Sequence, residues 1–373
     1  MARRRKRLDD EESPVRAAVL KAWGTPLVVE DVADPVLGTG EVIVDMVATN
    51  LPSYAAEVFS GERKYPLVLP AVPGAGGVGR VRAFGPDATR LAVGDWVYCD
   101  CTVRSRDDAL SPDITLQGVS ARGEGGLKLQ KYFHDGSLAE QMRVPTENAV
   151  RLGFIEEKNG AQWCALGLAL VPYGGFLAAG LRAGETVLVS GATGNFGSAA
   201  VAVALAMGAA CVVAPGRNEA ALQDLARRFG PRLRPFKLTG DEAVDREGMQ
   251  KAAPSPIDCV LDIMPPSVGT NVVRAALMTV RPYGRVVLMG GVGMLGASDL
   301  ALPYPWIMRN CITIHGQWMY PRAAVTRLAA LAGSGVLDFG QYEITEFGLG
   351  SINEAVTHAA SNGGPFRMTV VHP

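Results

Sequence analysis

Between Val15 and about Val150, short apolar runs alternate with Gly and Pro turns. Arg16–Leu20, Glu41–Ala48, Gly77–Phe84 and Asp95–Cys99 read as strands of a β-rich unit. The stretch from Ser105 to Lys131 breaks this rhythm, being long, polar and irregular, and is expected to form a loop or lobe. From about Asn159 the pattern changes. A helical stretch through Phe176–Leu181 leads into the strand Glu185–Ser190, a Gly-rich turn and the apolar helix Ser198–Met207. Further apolar strands follow at Cys211–Ala214, Ile257–Ile263 and Arg285–Met289. Strands that are apolar on both faces and alternate with helices predict a parallel, doubly wound sheet. Beyond Ile312 the pattern predicts a helix pair and a terminal strand, Arg367–Val371, that returns to the first unit.

The turn after Glu185–Ser190 carries the first chemistry. Ala192-Thr193-Gly194-Asn195-Phe196-Gly197 lies between a predicted strand and a predicted helix, the context in which a glycine fingerprint marks a dinucleotide site. Gly194 lets backbone approach a pyrophosphate, the helix N-terminus supplies free N–H donors, and Gly197 permits close helix–strand packing. The next strand selects the cofactor. A site for NAD would place Asp or Glu at its end, but here the chain reads Gly216-Arg217-Asn218. Arg217 can pair a 2′-phosphate as a planar fork, so NADPH is expected. By the rule that ligands bind at the carboxyl ends of strands, Gly290, Gly291 and Val292 are expected at the nicotinamide, with Asp262 beside them.

Several segments, in order, resemble the medium-chain dehydrogenase/reductase superfamily. They are Gly40-Glu41-Val42, Pro73-Gly74-Ala75-Gly76-Gly77-Val78-Gly79, Val93-Gly94-Asp95-Trp96-Val97, Asp135-Gly136-Ser137-Leu138-Ala139-Glu140 and Tyr283-Gly284-Arg285-Val286-Val287. The resemblance implies an α/β protein in which a GroES-like β-rich catalytic domain is split by a Rossmann domain. The expected boundaries are a disordered tail at 1–13, catalytic domain at 14–158 and 312–373, and Rossmann domain at 159–311. It also implies substrate in the interdomain cleft and an edge strand within Met294–Ile314 that pairs across a two-fold axis, giving a homodimer.

The departures from the family carry as much information. Its zinc-dependent members hold Cys where Asn50 aligns, His-Glu at Ala75-Gly76, and Cys or Asp near Gly167, and none of these side chains is kept. The 105–131 lobe, in the place of the family's structural zinc lobe, contains no cysteine. No metal is therefore expected. The segments Asn50–Tyr54 and Gly61–Pro66 resemble the quinone-oxidoreductase and enoyl-reductase branch. Asn50, Tyr54 and Tyr65 become the candidate catalytic residues, since a carbonyl oxygen without a Lewis acid must be polarised by hydrogen-bond donors. The expected reaction is hydride transfer from NADPH to an activated alkene or quinone. Alcohol/ketone interconversion is the alternative, and a non-catalytic NADPH-binding protein of crystallin or RNA-binding type is an alternative of another class.

Composition adds little to this and removes some options. A formal net charge of −1 gives no field for nucleic acid, and no partner beyond a small-molecule substrate and a second copy is expected. Arg3–Arg7 are followed at once by Asp9, Asp10, Glu11 and Glu12, a charge block that reads as a tail. No run is read as long and apolar enough to span a bilayer. The six cysteines are scattered apart from Cys99 and Cys101, which suits buried, reduced thiols in a cytoplasmic protein. The four histidines have no metal spacing, and His134 reads as a surface-loop residue, with a place facing the cleft as its alternative. Trp163, Trp306, Trp318 and Tyr320 read as packing, or as apolar surface in the cleft or dimer interface.

Overall fold

A computed structural model describes residues 14–153 and 155–373, so the expectation for the charged tail lies outside the described residues. The chain forms a mixed α/β structure around two main sheets. The first is seven-stranded and begins at Ala149–Arg151. It continues through Trp96–Cys99, Gly77–Phe84 and Glu41–Leu51, with Gln141–Pro145 also pairing on the last of these. It is completed by Arg367–His372 and Glu343–Gly348. The C-terminal strand docks antiparallel on Glu41–Leu51, where Thr369, Val370 and Val371 face Leu51, Asn50 and Thr49. The C-terminal strand thereby joins the same sheet as Glu41–Leu51, while Val15–Val19 and Val28–Val32 pair in a small sheet of their own.

The second sheet has six strands, all parallel, in the order Leu233–Lys237, Cys211–Gly216, Thr186–Ser190, Cys259–Asp262, Arg285–Leu288, Thr313–Gly316. Its first strand in sequence, Thr186–Ser190, sits in the middle beside the fourth. The connections reverse direction there, and a crevice opens at the carboxyl ends of the strands. The sheet runs to Gly316, past the expected boundary at 311. The chain leaves it only after a sixth strand, whose Ile314 alternates with exposed Thr313 and so gave a weak apolar signal.

Helix Ala165–Ala179 packs between the sheet and the rest of the molecule. It is apolar all round, as a buried helix must be. With the turns before it, it forms a 23-residue run, Glu157–Ala179, long and apolar enough to cross a membrane, which corrects the expectation that no such run exists. Its apolar window is 67% buried inside the protein, so its hydrophobicity is matched by internal packing. The 105–131 lobe is also more ordered than its composition indicates. Thr102–Arg104, Ile114–Leu116 and Ser120–Ala121 form a three-stranded sheet, and Gly123–Gln130 is a helix. Ordered backbone hydrogen bonds replace the cysteines there, with Arg122 N–H bonded to Ile114 O at 3.0 Å.

Candidate active site

Strand Thr186–Ser190 is fully buried and delivers the chain to Gly191, whose φ of +100° turns it sharply toward helix Asn195–Ala206. Gly194 N–H closes that turn on Gly191 O at 3.0 Å. A side chain at Gly197 would place its Cβ 1.9 Å from Gly191 O, so the helix sits against the turn only because position 197 has none. At Gly194 the same added atom would meet nothing nearer than 3.5 Å, which leaves the helix N-terminus open to a ligand. Gly191 was missed in the sequence reading. The signal was present as glycines at 191, 194 and 197, one every third residue.

This N-terminus faces a cleft of about 1190 Å³ between the two sheets. Thr193, Gly194, Asn195, Phe196 and Gly197 line it, as do Gly216 and Arg217 at one end and Gly290 and Gly291 toward the other. Arg217 is exposed and pairs with no carboxylate among the described residues, while the nearby Glu219 is engaged by Lys237 at 2.8 Å. Tyr54 and Tyr65 also line the cleft. Tyr54 stacks on Phe196 with ring centroids 6.3 Å apart, and the Arg63 guanidinium lies 4.3 Å from its centroid. Burial pushes the Tyr54 phenol well above its usual pKa, and Tyr65 adds to this, so the hydroxyl stays protonated and available as a donor.

Five of the expected site residues lie elsewhere. Asn50 belongs to the strand Glu41–Leu51, opposite Val370, and the cleft is instead faced by Ser53 and Tyr54 just after the strand ends. Ala192 is fully buried inside the turn. Asn218 caps helix Glu219–Phe229 by accepting from Ala221 N–H at 3.1 Å, which occupies its side-chain oxygen. Val292 is outside the lining, although Gly291 before it and Met294 after it are within it. Asp262 is 3% exposed, beneath the cleft floor formed by Ile263, Met264 and Gly290. A Cβ at Gly290 would come 2.4 Å from Asp262 Oδ2. Neither Asp262 Oδ1 nor the neighbouring Ser190 Oγ has a hydrogen-bond partner. Burial raises the Asp262 carboxyl to about 7, held back by its proximity to Ser190 and by the Met264 amide.

His134 also stands outside the lining, bonded to Asp135 Oδ1 at 2.8 Å and Val68 O at 3.0 Å. Of the six cysteines, none in a disulfide, five are buried and Cys311 is exposed.

The cleft fits a nicotinamide dinucleotide. It offers a helix N-terminus in its lining, a glycine with open space above it, and the exposed Arg217 guanidinium at one end. Zinc does not fit. Among the described residues no group of three His, Cys, Asp or Glu side chains could hold a metal ion. Where related enzymes carry His-Glu, Gly76 packs so tightly that a Cβ would lie 2.1 Å from Cys99 O.

Comparison with known proteins agrees with this architecture. Residues 38–153 match the alcohol dehydrogenase GroES-like domain. The chain is 28% identical to an acryloyl-coenzyme A reductase of Metallosphaera sedula over 78% of its own length and 81% of the relative's. It is 30% identical to an alcohol dehydrogenase of Geobacillus stearothermophilus over 59% of this chain, which spans 63% of that relative, under two thirds. Among solved structures, a dehydrogenase of Sinorhizobium meliloti, described as zinc-binding and solved with NADP bound, superposes with a TM-score of 0.78 at 18% identity. That match covers 97% of this chain and all of the other. A thermostable alcohol dehydrogenase of Pyrobaculum aerophilum superposes at 0.74 and 21% identity, over 96% and 99% of the two chains. The chain is a member of the medium-chain dehydrogenase/reductase superfamily. It is an oxidoreductase of that type, working with a nicotinamide cofactor.

Proposed function

We propose that the protein is a zinc-independent, NADPH-dependent reductase of activated alkenes, with an enone or quinone as substrate. The observation that carries this reading is the pairing of a cleft lined by no His, Cys or Asp side chain among the described residues with a protonated phenol, Tyr54, stacked on Phe196 of the glycine-rich turn. When bound, the nicotinamide supplies the hydride. Addition at the β-carbon of an enone moves charge onto the carbonyl oxygen, and Tyr54 is the donor proposed to meet it, with Tyr65 as the second candidate. A donor that stays protonated stabilises this oxyanion without a Lewis acid. The α-proton then comes from solvent, or from one of these phenols with replacement from solvent.

Arg217 supports NADPH over NADH, because it is a guanidinium with no carboxylate partner among the described residues, where an NAD site would hold a carboxylate. The NADP-bound neighbour and the acryloyl-coenzyme A reductase relative are consistent with the two halves of the proposal. The alcohol dehydrogenase relatives favour ketone reduction as the second reading. We further propose a homodimer. Strand Thr313–Gly316 is an open sheet edge, and Tyr283, Tyr304 and Met308 are 74%, 76% and 55% exposed in the chain segments leading to it.

The test is to treat the protein with a chelator and supply NADPH with a panel of α,β-unsaturated ketones. The expected product is the saturated ketone, at a rate unaffected by metal removal. An allylic alcohol, or activity that disappears with the metal, contradicts the proposal.

A further inference from the structure

Behind the cleft lies a buried polar cluster with no part in the hydride chemistry. Asp100, 2% exposed, accepts at Oδ1 from the Tyr320 hydroxyl at 2.7 Å and from the Thr102 N–H at 2.8 Å. The Thr102 hydroxyl donates to the Tyr320 oxygen at 3.2 Å. Asn148 Nδ2 donates to Asp100 O at 2.7 Å and Thr102 O at 3.1 Å. The Arg104 guanidinium reaches Thr102 O at 3.0 Å and also Tyr320 O. Asp100, Thr102, Arg104 and Asn148 lie within the segment matched by the GroES-like domain, while Tyr320 follows the last strand of the parallel sheet. The cluster therefore bridges the two halves of the molecule.

Burial pushes the Asp100 carboxyl up, with Tyr320 and Thr102 holding it back. Apolar side chains of similar volume would fill the same space without that desolvation penalty, so stability alone does not account for the cluster. What such a network supplies is a defined position, because its bonds are directional and leaving any of them unmade is costly.

The position concerned is that of the residues just before Tyr320. Gln317, Trp318 and Met319 line the cleft. Met319 has a φ of +60°, a left-handed backbone that side-chain-bearing residues adopt only where their surroundings hold them. The segment is fixed at its start by Gln317 N–H on Leu288 O at 3.1 Å and internally by Gln317 Nε2 on Met319 O at 3.3 Å. Helix Ala165–Ala179 presses on its back. A Cβ at Gly174 would come 2.4 Å from Met319 O and 2.7 Å from Tyr320 Cβ. At its far end the tie is Tyr320.

We infer that Asp100, Thr102 and Tyr320 are positioning residues that hold the Gln317–Met319 segment in a strained conformation as a wall of the cleft, making Trp318 and Met319 determinants of which substrates fit. Trp318 and Met319 give the wall apolar surface, and the Arg122 guanidinium lies 5.9 Å from the centroid of the half-exposed Trp318 ring. With Leu116 and Val119 also in the lining, it suits substrates with an apolar flank beside the reacting double bond. This rests on the proposed function insofar as the cleft is where reduction takes place.

The experiment compares a bulky, aryl-substituted enone with a small alkyl enone in wild type and in Tyr320→Phe, which keeps the ring and deletes both hydroxyl bonds. The ratio of kcat/KM between the two substrates is expected to shift at least tenfold, chiefly through KM. Binding of adenosine 2′,5′-bisphosphate, which reads the Arg217 end, should stay within twofold. Asp100→Asn keeps an acceptor oxygen for Tyr320 and should retain most of the wild-type ratio. Met319→Gly accepts the backbone conformation, loosens the wall without touching the anchor, and should shift the ratio in the same direction. A ratio within twofold of wild type in a folded Tyr320→Phe overturns the inference. If that variant does not fold, an unchanged ratio in Met319→Gly overturns it instead. Were wild type to reduce ketones but no enone, the proposed reaction would fail while the ratio, read with bulky and small ketones, would still judge the anchor.

Discussion

Arg217 and Asp262 show how differently two residues of one cleft depend on their surroundings. Arg217 was legible from sequence because its meaning lies in what is missing, an acid at the end of the second strand of a dinucleotide fold. Its substitution by Ala should weaken NADPH binding roughly ten- to a hundredfold, on the order of 1.5–3 kcal/mol for one charge-assisted phosphate contact. NADH binding should hardly change. Fluorescence titration with both cofactors checks this, and equal losses would contradict the NADPH preference. Asp262 was legible as a strand-end residue but not as a buried one, since Gly290 covers it only in three dimensions. Its carboxyl sits near 7 when folded and is raised by burial, so the folded state holds a proton that the unfolded chain releases near pH 4. The associated stability is fully present below about pH 4 and is lost as pH rises through about 7. Asp262→Asn removes this dependence. Relative to wild type, the variant should gain stability by on the order of 2–4 kcal/mol between pH 4 and pH 8. Denaturant melts at the two pH values would show it, and parallel curves would argue against a buried, titrating Asp262. Asn50 shows the opposite failure. Alignment by resemblance placed it at a catalytic position, and register in the strand Glu41–Leu51 places it opposite Val370.

Among the elements, those buried on both faces were the readable ones. Thr186–Ser190 and Cys259–Asp262 are buried throughout, with apolar centres that stand out against their Gly and Pro flanks. Leu233–Lys237 and Glu343–Gly348 escaped notice because their faces are half-exposed and the first carries Pro235, admissible only because the strand lies at the sheet edge. Helix Gly123–Gln130 contains three glycines in eight residues, so propensity argued against it and tertiary contact decided. The turn–helix unit at the cofactor cleft yields the sharpest prediction at this scale. Gly197→Ala forces a Cβ to 1.9 Å from Gly191 O, and the helix must move away from the turn. Stability should fall by about 1–3 kcal/mol, and NADPH binding should weaken more than tenfold while the far-ultraviolet spectrum stays native. Unchanged NADPH affinity in a folded variant would mean that this turn does not hold the cofactor.

For the whole molecule, the sequence carried the fold class through the alternation of strand and helix and the return of the C-terminal strand to the first sheet. It did not carry the way the two halves meet. Tyr320 reaches across to Asp100, and Asn195 Nδ2 bonds Arg367 O, contacts between residues 220 and 172 positions apart that no local pattern announces. The open edge at Thr313–Gly316 belongs to this scale too. Light scattering at micromolar concentration should give twice the chain mass of 39.3 kDa, and a monomer would remove the dimer from the account. The central claim is that hydride reaches carbon–carbon and not carbon–oxygen double bonds, and isotope placement reads it directly. The protein should be supplied with NADPH deuterated at the transferred position and an acyclic enone, and the product examined by NMR. Deuterium on the β-carbon of a saturated ketone is the predicted result; deuterium on the carbinol carbon of an allylic alcohol would contradict the account.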